Sequence, residues 1–175
     1  MKKWILIVAG ALALLVAVAY GVGARLPREH VATVRAHFRV PPDSIYRILS
    51  EVESYPAWRS GVEVVQREPD RNGHITWQER ERFGAREYEF TIAVRPTRLV
   101  SALLTPDAGY TGRWIYQIIP DAAGTVLTIT EEGSVENPIF RFLSRFVFGK
   151  YASMESLLHS LGQRFGETVE PVRVI

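Results

Sequence analysis

The last long patterned segment of the chain constrains most strongly what this sequence can fold into. Over about residues 138–166 the spacing predicts one amphipathic helix, because at about 100° per residue its apolar residues fall in a single stripe. The stripe contains Phe140, Leu143, Val147, Tyr151, Met154, Leu158, Leu161 and Phe165. Most of the preceding chain alternates like β-strand, so we expect this helix to be the main cover of a sheet.

The first half of this helix has a second apolar side, which a simple cover does not need. It carries three phenylalanines beside three cations, namely Phe142, Phe146 and Phe148 beside Arg141, Arg145 and Lys150. Such a mixture is typical of a segment at a membrane interface, where apolar side chains dip and cations stay at head-group level. We therefore predict membrane or partner contact for the three phenylalanines, and packing under the preceding short helices is the alternative.

An uncharged segment runs from Trp4 to Gly23, behind Lys2 and Lys3. As a helix it would span about 30 Å, the thickness of the hydrocarbon core of a bilayer. We interpret residues 1–26 as a single-pass transmembrane anchor with a linker, and residues 27–175 as one domain. A cleaved signal peptide with an A-x-A site at residues 17–19 is the alternative. The positive groups before the segment predict that the domain lies on the non-cytoplasmic side.

The folded part of the chain carries no excess of positive charge. The net charge of +2 comes from Lys2 and Lys3, and 19 acidic residues balance the other cations. Broad nucleic-acid binding is therefore disfavoured. The chain has no cysteine, which excludes disulfides and thiolate metal sites. We predict no metal and no other cofactor, since metal-ligand spacing is missing among His30, His37, His74 and His159.

The middle of the chain predicts a meander of strands. Residues 31–40 alternate as a half-buried strand does, and two short helices are predicted over residues 43–58. About six strands follow as far as Val135, with hairpin signals at residues 69–73 and 120–124. This order predicts an α+β fold in which a curved antiparallel sheet of about six or seven strands wraps around the C-terminal helix. A single helix leaves a cavity in such a bent sheet.

Several short motifs, in this order, resemble those of a known superfamily. They are FRVP at residues 38–41, YPAW at 55–58, GRW at 112–114, IPDAAGT at 119–125, and the EEG to NP segment at 131–138. Residues 29–168 are thereby similar to the START-related, or SRPBCC, superfamily, in its polyketide cyclase/dehydrase-like branch. Glu53 and Ser54 depart from the pattern, since relatives often carry an aspartate there. The resemblance implies a helix-grip fold and a pocket for an apolar or amphipathic small molecule, without implying cyclase activity.

The inward positions of the strands and of the final helix predict which residues line that pocket. The strands would contribute Trp77, Phe90, Ile92, Leu103, Trp114, Tyr116, Leu127 and Ile129 from their inward faces. The final helix would contribute Leu143, Val147, Tyr151 and Met154. For the aromatic residues, simple core packing is the alternative to ligand contact.

Two acids, Glu79 and Glu81, share the strand face of Trp77. If that face is inward, burial would favour their protonated forms, as a general acid or base requires, and Tyr116 is a further candidate. In the structural alternative, which we favour, the nearby arginines pair with acids across the sheet on a solvated face. Glu79 would then lie near the open rim of the sheet.

We interpret the chain as a membrane-tethered domain that binds an apolar or lipid-like small molecule, for carriage, sensing or sequestration. No nucleophile motif or nucleotide-binding motif occurs in the sequence, which favours binding over catalysis. A cyclase or dehydratase that acts on a polyketide-like or aromatic substrate is the first alternative. A non-catalytic protein-interaction module is the second.

Overall fold

A computed structural model describes residues 2–81, 84–104 and 109–174 of the chain. In chain order the elements are α1 (Lys2–Arg25), β1 (Glu29–Phe38), α2 (Pro42–Ser50), a 3-10 helix (Val52–Ala57), β2 (Val62–Arg71), β3 (His74–Glu81), β4 (Gly84–Val94), β5 (Arg98–Leu103), β6 (Tyr110–Asp121), β7 (Gly124–Val135), α3 (Pro138–Leu143), a π-helical turn (Ser144–Phe148), α4 (Ala152–Arg164) and β8 (Val172–Val174).

The eight strands found in the described residues form one sheet in the order β2-β3-β4-β5-β6-β7-β1-β8. All neighbouring strands are antiparallel. β6 and β7 pair along their whole length, and β1 pairs with β7, so the first strand lies beside the end of the meander. The predicted α+β helix-grip fold is confirmed. Among the strands of the described residues, the short C-terminal strand β8, which pairs with β1, is not predicted.

The core lies between the inner face of the sheet and the helices. In β1 the alternation places Ala32, Val34, Ala36 and Phe38 inward, and all four are buried. They join the apolar residues of the other strands, of α2 and of α4 in one cluster. Period-two alternation therefore fixes which face of β1 is covered.

The turn of the β2–β3 hairpin is shorter than the hairpin signal at residues 69–73 predicts. Asn72 and Gly73 have φ values of 53° and 79°, the two positive values that a two-residue type I′ turn requires. Pro69 and Asp70 belong to β2, where a register shift between Glu68 and Arg71 accommodates them.

The final helix is interrupted, whereas the sequence pattern predicts one continuous helix. α3 ends at Leu143, the chain makes one π-helical turn, and Gly149 has a φ of 79° that ends it. The amide of Gly149 donates to the carbonyl of Ser144 at 3.1 Å. Only α4 continues the buried stripe, while Phe140 and Val147 are exposed. A left-handed glycine breaks a helix because the hydrogen-bond ladder cannot continue through it.

The C-terminal end of α1 packs against the beginning of α3. Ala19 and Gly23 are the buried residues of α1. Gly23 lies so close to Pro138 that a Cβ at position 23 would meet the carbonyl oxygen of Pro138 at 1.8 Å. α1 is long and apolar enough to span a membrane, and only 6% of an apolar 18-residue stretch within it is buried. The helix is thus docked onto the domain at one end and exposed along the rest.

Candidate functional site

A cavity of about 240 Å³ lies between the inner face of the sheet and α4. Ile129, Met154 and Leu157 form its apolar side. The rest of the wall is aromatic, charged or hydroxyl-bearing, and consists of Tyr55, Arg59, Trp77, Glu79, Glu81, Arg86, Tyr88, Ser101, Tyr110, Trp114, Tyr116, Glu131 and Ser153. Pockets for drug-sized ligands occupy roughly 300–1,000 Å³. This cavity therefore suits a smaller molecule with both apolar and polar parts.

Glu79 is the most deeply buried charge of the cavity, with 1% of its side chain exposed. Arg59, which follows the 3-10 helix, donates from Nη1 to both carboxylate oxygens at 2.9 Å. Trp77 Nε1 donates to Glu79 Oε1 at 2.8 Å. Burial is the largest single effect on the pKa of Arg59 and lowers it, but the charge of Glu79 and the neighbouring tyrosines together outweigh burial, so the net shift is upward. The pair is therefore a fixed polar part of the wall, because a buried carboxylate needs such partners.

Three tyrosines of the wall are held in their neutral form. Burial raises the pKa of Tyr55, Tyr88 and Tyr116 above the usual value of 10.0. The Tyr55 hydroxyl donates to the carbonyl of Leu49 at 2.6 Å, and Tyr116 is hydrogen-bonded to Ser101. At neutral pH these side chains present hydroxyl groups, rather than charges, to the cavity.

Glu131, near the end of β7, gathers three partners. Trp114 Nε1 donates to Oε2 at 2.9 Å, and the Ser153 hydroxyl donates to the same oxygen at 3.1 Å. His30 Nε2 lies 3.1 Å from Oε1. Glu131 thereby joins β6, β1 and the start of α4 at one end of the cavity.

A second ion pair borders the cavity on β3 and β4. Arg86 Nη1 donates to Glu81 Oε2 at 2.7 Å, and both side chains are partly exposed. The Arg86 guanidinium also lies over the ring of Tyr110, 5.6 Å from its centroid. Burial raises the pKa of Tyr110.

A neighbouring cavity of about 260 Å³ shares part of this wall. The two cavities have Tyr110, Trp114, Glu131 and Ser153 in common. The neighbouring one continues to the interrupted segment after α3, where Phe148 and Gly149 line it. The inner cavity is therefore adjacent to the break between α3 and α4.

Five of the twelve residues predicted to line a pocket border the inner cavity, namely Trp77, Trp114, Tyr116, Ile129 and Met154. Phe90 and Leu127 are buried in the core beside it. Leu103 is partly buried, packs against the core and lines a separate cleft.

The other four predicted lining residues lie elsewhere. Ile92 follows a register shift in β4 and is 40% exposed. Val147 is 61% exposed because the π-helical turn rotates it away from the stripe. Leu143 is partly buried in α3, and the Tyr151 ring lies under Lys150 and Arg173.

The three candidate acid/base residues, Glu79, Glu81 and Tyr116, all border the inner cavity. The position of Glu79 differs from the rim position of the structural alternative, because β3 turns the face of Trp77 inward. Arg86 pairs with Glu81, while Glu87 pairs with Arg71.

The sequence reasoning missed Arg59 and Glu131. Glu131 had a signal, because it continues the inward alternation of Leu127 and Ile129 along β7. Arg59 had none, since no strand or helix periodicity governs the loop after the 3-10 helix. Within the described residues, no group of three or more His, Asp or Glu side chains has metal-site geometry.

The predicted surface phenylalanines differ in exposure. Phe146 and Phe148 are 58% and 65% exposed. Phe142 is partly buried, and its ring packs on that of Phe146 with centroids 5.0 Å apart. The exposed aromatic surface thus lies on the π-helical turn.

A family model described as "Polyketide cyclase / dehydrase and lipid transport" matches residues 29–165. No protein of curated function matches the sequence. The di-domain ARO/CYC StfQ from the steffimycin biosynthetic pathway is similar in structure, with a TM-score of 0.61 and 14% identity over 78% of this chain and 52% of that one. The chain thus spans about half of that protein.

Two further solved structures match over most of their length. A START superfamily protein from Mycobacterium smegmatis has a TM-score of 0.58 and 15% identity, and the alignment covers 79% of this chain and 97% of that one. A protein from Rhodobacter sphaeroides has a TM-score of 0.56 and 19% identity, with coverage of 79% and 97%. At these identities the likeness concerns the fold.

Proposed function

The chain belongs to the polyketide cyclase, dehydrase and lipid transport family of the START-related superfamily, and we propose that it binds a compact amphipathic small molecule in the inner cavity. The observation that carries this proposal is the mixed wall of that cavity. An aromatic or lipid-like ligand would place its apolar part against Ile129, Met154 and Leu157. Its polar groups would meet the tyrosine hydroxyls and the paired charges.

The aromatic part of the wall supports a ligand with a flat ring. Trp77 and Tyr88 stack with centroids 5.7 Å apart, and Tyr88 meets Trp114 edge to face at 5.9 Å. Aromatic faces and edges stabilise further rings in the same arrangements. The ion pairs of the wall also favour binding. Because their side chains are already held in place, they need no rearrangement when a polar group of the ligand approaches. The volume supports one small molecule, or the polar end of a larger one, rather than a whole two-chain lipid.

Tryptophan fluorescence tests this proposal, because Trp77 and Trp114 both line the cavity. Compact aromatic acids and phenols, added to the purified full-length chain, should change the emission in a saturable way. Ile129→Phe should abolish the change by filling the cavity, and Ile119→Phe, on an exposed position of β6, should leave it intact. Equal fluorescence responses of the two variants would refute the proposal, provided that both variants have the melting temperature of the wild type.

We further propose that α1 stays on the mature protein as a single-pass anchor, with the domain on the non-cytoplasmic side. Lys2, Lys3 and the terminal amine precede the apolar segment, and Arg25 and Arg28 follow it. The exposed rings of Phe146 and Phe148 would then lie at the interface of the same bilayer. The intact mass of the mature protein distinguishes an anchor from a cleaved signal peptide. A protein with an anchor retains residues 1–19, whereas a protein whose signal peptide has been cleaved lacks them.

Sidedness is testable because the chain has no cysteine of its own. Arg164→Cys introduces one thiol at an exposed position of α4. A membrane-impermeant maleimide should label it in intact cells or spheroplasts. Labelling only after the membrane is opened would place the domain in the cytoplasm.

Catalysis on a polyketide-like or aromatic substrate is the second candidate function. It is favoured by one observation, that Glu79, Glu81 and Tyr116 all border one cavity. Because burial raises its pKa, Tyr116 would act as a proton donor rather than a base. Tyr116→Phe would then stop turnover of a bound substrate while leaving its binding measurable, and turnover unaffected by this variant would exclude the role.

A further inference from the structure

A cleft of about 380 Å³ lies where α1 gives way to the domain. It is formed by the linker after α1, the beginning of β1, α3 and the π-helical turn. Four cations line it, namely Arg28, Arg141, Arg145 and Lys150, together with the hydroxyl of Ser144. Glu29 is the single carboxylate among the described lining residues. The cleft thus has a strong excess of positive charge, although the folded part of the chain as a whole has none.

Arg141 is the central cation of this cleft, and it is 91% buried, with 9% relative exposure. Its Nη1 donates to the carbonyl of Leu26 at 2.8 Å, and its Nη2 to the carbonyl of Glu136 at 3.5 Å. Its Nε is buried without a hydrogen-bond partner. Among the described residues, no carboxylate forms an ion pair with it. A buried guanidinium without a negative partner is costly, so an anion from outside the chain would stabilise it.

The other cations leave their charges available. In the described part of the chain, Arg145 forms no ion pair and is exposed. The Lys150 ammonium lies 4.8 Å from the centroid of the Tyr151 ring, a contact that leaves its donors free. Arg28 pairs with Glu136 at 3.2 Å, but both side chains are well exposed and the pair is weak. Several guanidinium and ammonium donors therefore converge on one cleft, the arrangement that binds phosphate oxygens.

The position of the cleft indicates where its ligand comes from. Leu26, which accepts from Arg141, follows directly on the last turn of α1. Gly23 fixes that turn against Pro138 at the start of α3. The exposed Phe146 and Phe148 flank the same segment. If α1 spans a bilayer, the cleft lies at the level of the lipid head groups of the leaflet on the side of the domain, where cationic side chains can meet lipid phosphates.

We propose that this cleft binds the phosphate of an anionic phospholipid head group, at a site separate from the inner cavity. The proposal rests on the anchoring of α1 that is proposed above. It does not rest on the cavity ligand, because the cleft and the inner cavity share no lining residue. The phosphate would complete the partners of Arg141 and would hold the α1–α3 junction in one orientation at the membrane.

The test uses the full-length chain in nanodiscs of phosphatidylcholine with or without phosphatidylglycerol. Incorporation of the protein into the discs is measured first by co-elution, and it reports on the anchor alone. Native mass spectrometry of the released protein then counts retained lipid. We expect the wild type to retain phosphatidylglycerol in preference to phosphatidylcholine. Arg145→Gln/Lys150→Gln should weaken this retention on the order of 10- to 30-fold, since each cation near the surface contributes about fivefold.

The matched control is Arg80→Gln/Arg164→Gln, which removes two exposed cations that lie outside the cleft. It should retain the lipid as the wild type does. Equal retention in both double variants, or no preference of the incorporated wild type, would overturn the proposal. An arm with inorganic phosphate at millimolar concentration separates the two sources of the ligand. If inorganic phosphate displaces the lipid from the wild type but not from the Arg145→Gln/Lys150→Gln variant, the cleft is a site for soluble phosphate. If inorganic phosphate does not displace the lipid, the result supports a lipid site.

Discussion

The charged side chains of the inner cavity are held by specific partners rather than by solvent. Arg59 and Trp77 satisfy Glu79, and Trp114, Ser153 and His30 satisfy Glu131. Buried polar groups that are all satisfied give a rigid wall, whereas a half-satisfied set would be costly. At the scale of residues, the polarity of the cavity is therefore a built feature that depends on few hydrogen bonds.

Removal of Arg59 should be severe. Arg59→Met leaves Glu79 buried without its main partner, so the free energy of unfolding should fall by about 3–5 kcal/mol. Arg59→Met/Glu79→Gln should recover part of that loss, because no uncompensated charge remains. Urea denaturation of the detergent-solubilised protein, followed by near-ultraviolet circular dichroism, measures both.

Arg47→Met is the control, since Arg47 is an exposed cation on α2. It should change the stability by no more than about 0.5 kcal/mol. If Arg59→Met were as mild as this control, the ion pair would not hold the cavity wall together.

The tyrosines predict a loss of stability in alkali. Burial raises the pKa of Tyr55, Tyr88 and Tyr116 in the folded state, so above about pH 10 the unfolded chain releases protons that the folded chain keeps. The free energy of unfolding should therefore be constant up to about pH 10 and then fall, by up to about 1.4 kcal/mol per pH unit for each tyrosine. Urea denaturation at several pH values measures this fall. Phenolate absorbance of all seven tyrosines near pH 10 in the folded protein would contradict it.

At the scale of elements, the C-terminal helix has two roles in two segments. α4 carries Met154, Leu158 and Leu161 into the core. α3 instead contacts α1, and α3 and the π-helical turn expose aromatic side chains. Gly149, with its positive φ, separates them. The interruption allows one part of the C-terminal helical segment to cover the sheet while the other part contacts α1.

Gly23 should be needed for the α1–α3 contact. Gly23→Leu places side-chain atoms where the Pro138 carbonyl lies, so α3 should separate from α1. Hydrogen exchange of residues 138–143, measured on the protein in nanodiscs, should become about tenfold faster. Gly21→Leu is the control, because among the described residues no atom lies within 4 Å of a Cβ at position 21. Unchanged exchange in Gly23→Leu would show that the two helices are independent.

Periodicity explains which elements the sequence predicts well. The alternation of Ala32, Val34, Ala36 and Phe38 identifies β1 and its buried face, since side-chain direction in a strand follows directly from position. The helix stripe predicts α4 equally well. The break after Leu143 is not predictable in this way, because the spacing of apolar residues does not distinguish a π-helical turn, or a glycine with positive φ, from a continuing helix.

The candidate site is predicted less completely than the fold. Trp77, Trp114, Tyr116, Ile129 and Met154 border the cavity as their strand or helix phase requires. Ile92 shows the limit, because one register shift in β4 changes its direction. Arg59 shows another, since its loop is placed only by tertiary packing. Sequence pattern thus predicts the walls made by regular elements, while bulges and loops decide the rest.

At the scale of the whole molecule, a helix that can span a membrane is docked onto a domain with an internal cavity. The interrupted segment between α3 and α4 borders both the cationic cleft beside α1 and the cavity next to the inner one. We infer from this arrangement that the domain works beside the bilayer and takes its small ligand there.

A compact small molecule is the proposed occupant of the inner cavity. Native mass spectrometry of the full-length protein, extracted from its own membrane in mild detergent, would detect such a ligand. The wild type and Ile119→Phe should carry one additional non-protein mass that is released on activation, and Ile129→Phe should lack it. An unliganded wild type under these conditions, or the same mass in Ile129→Phe, would contradict the proposal.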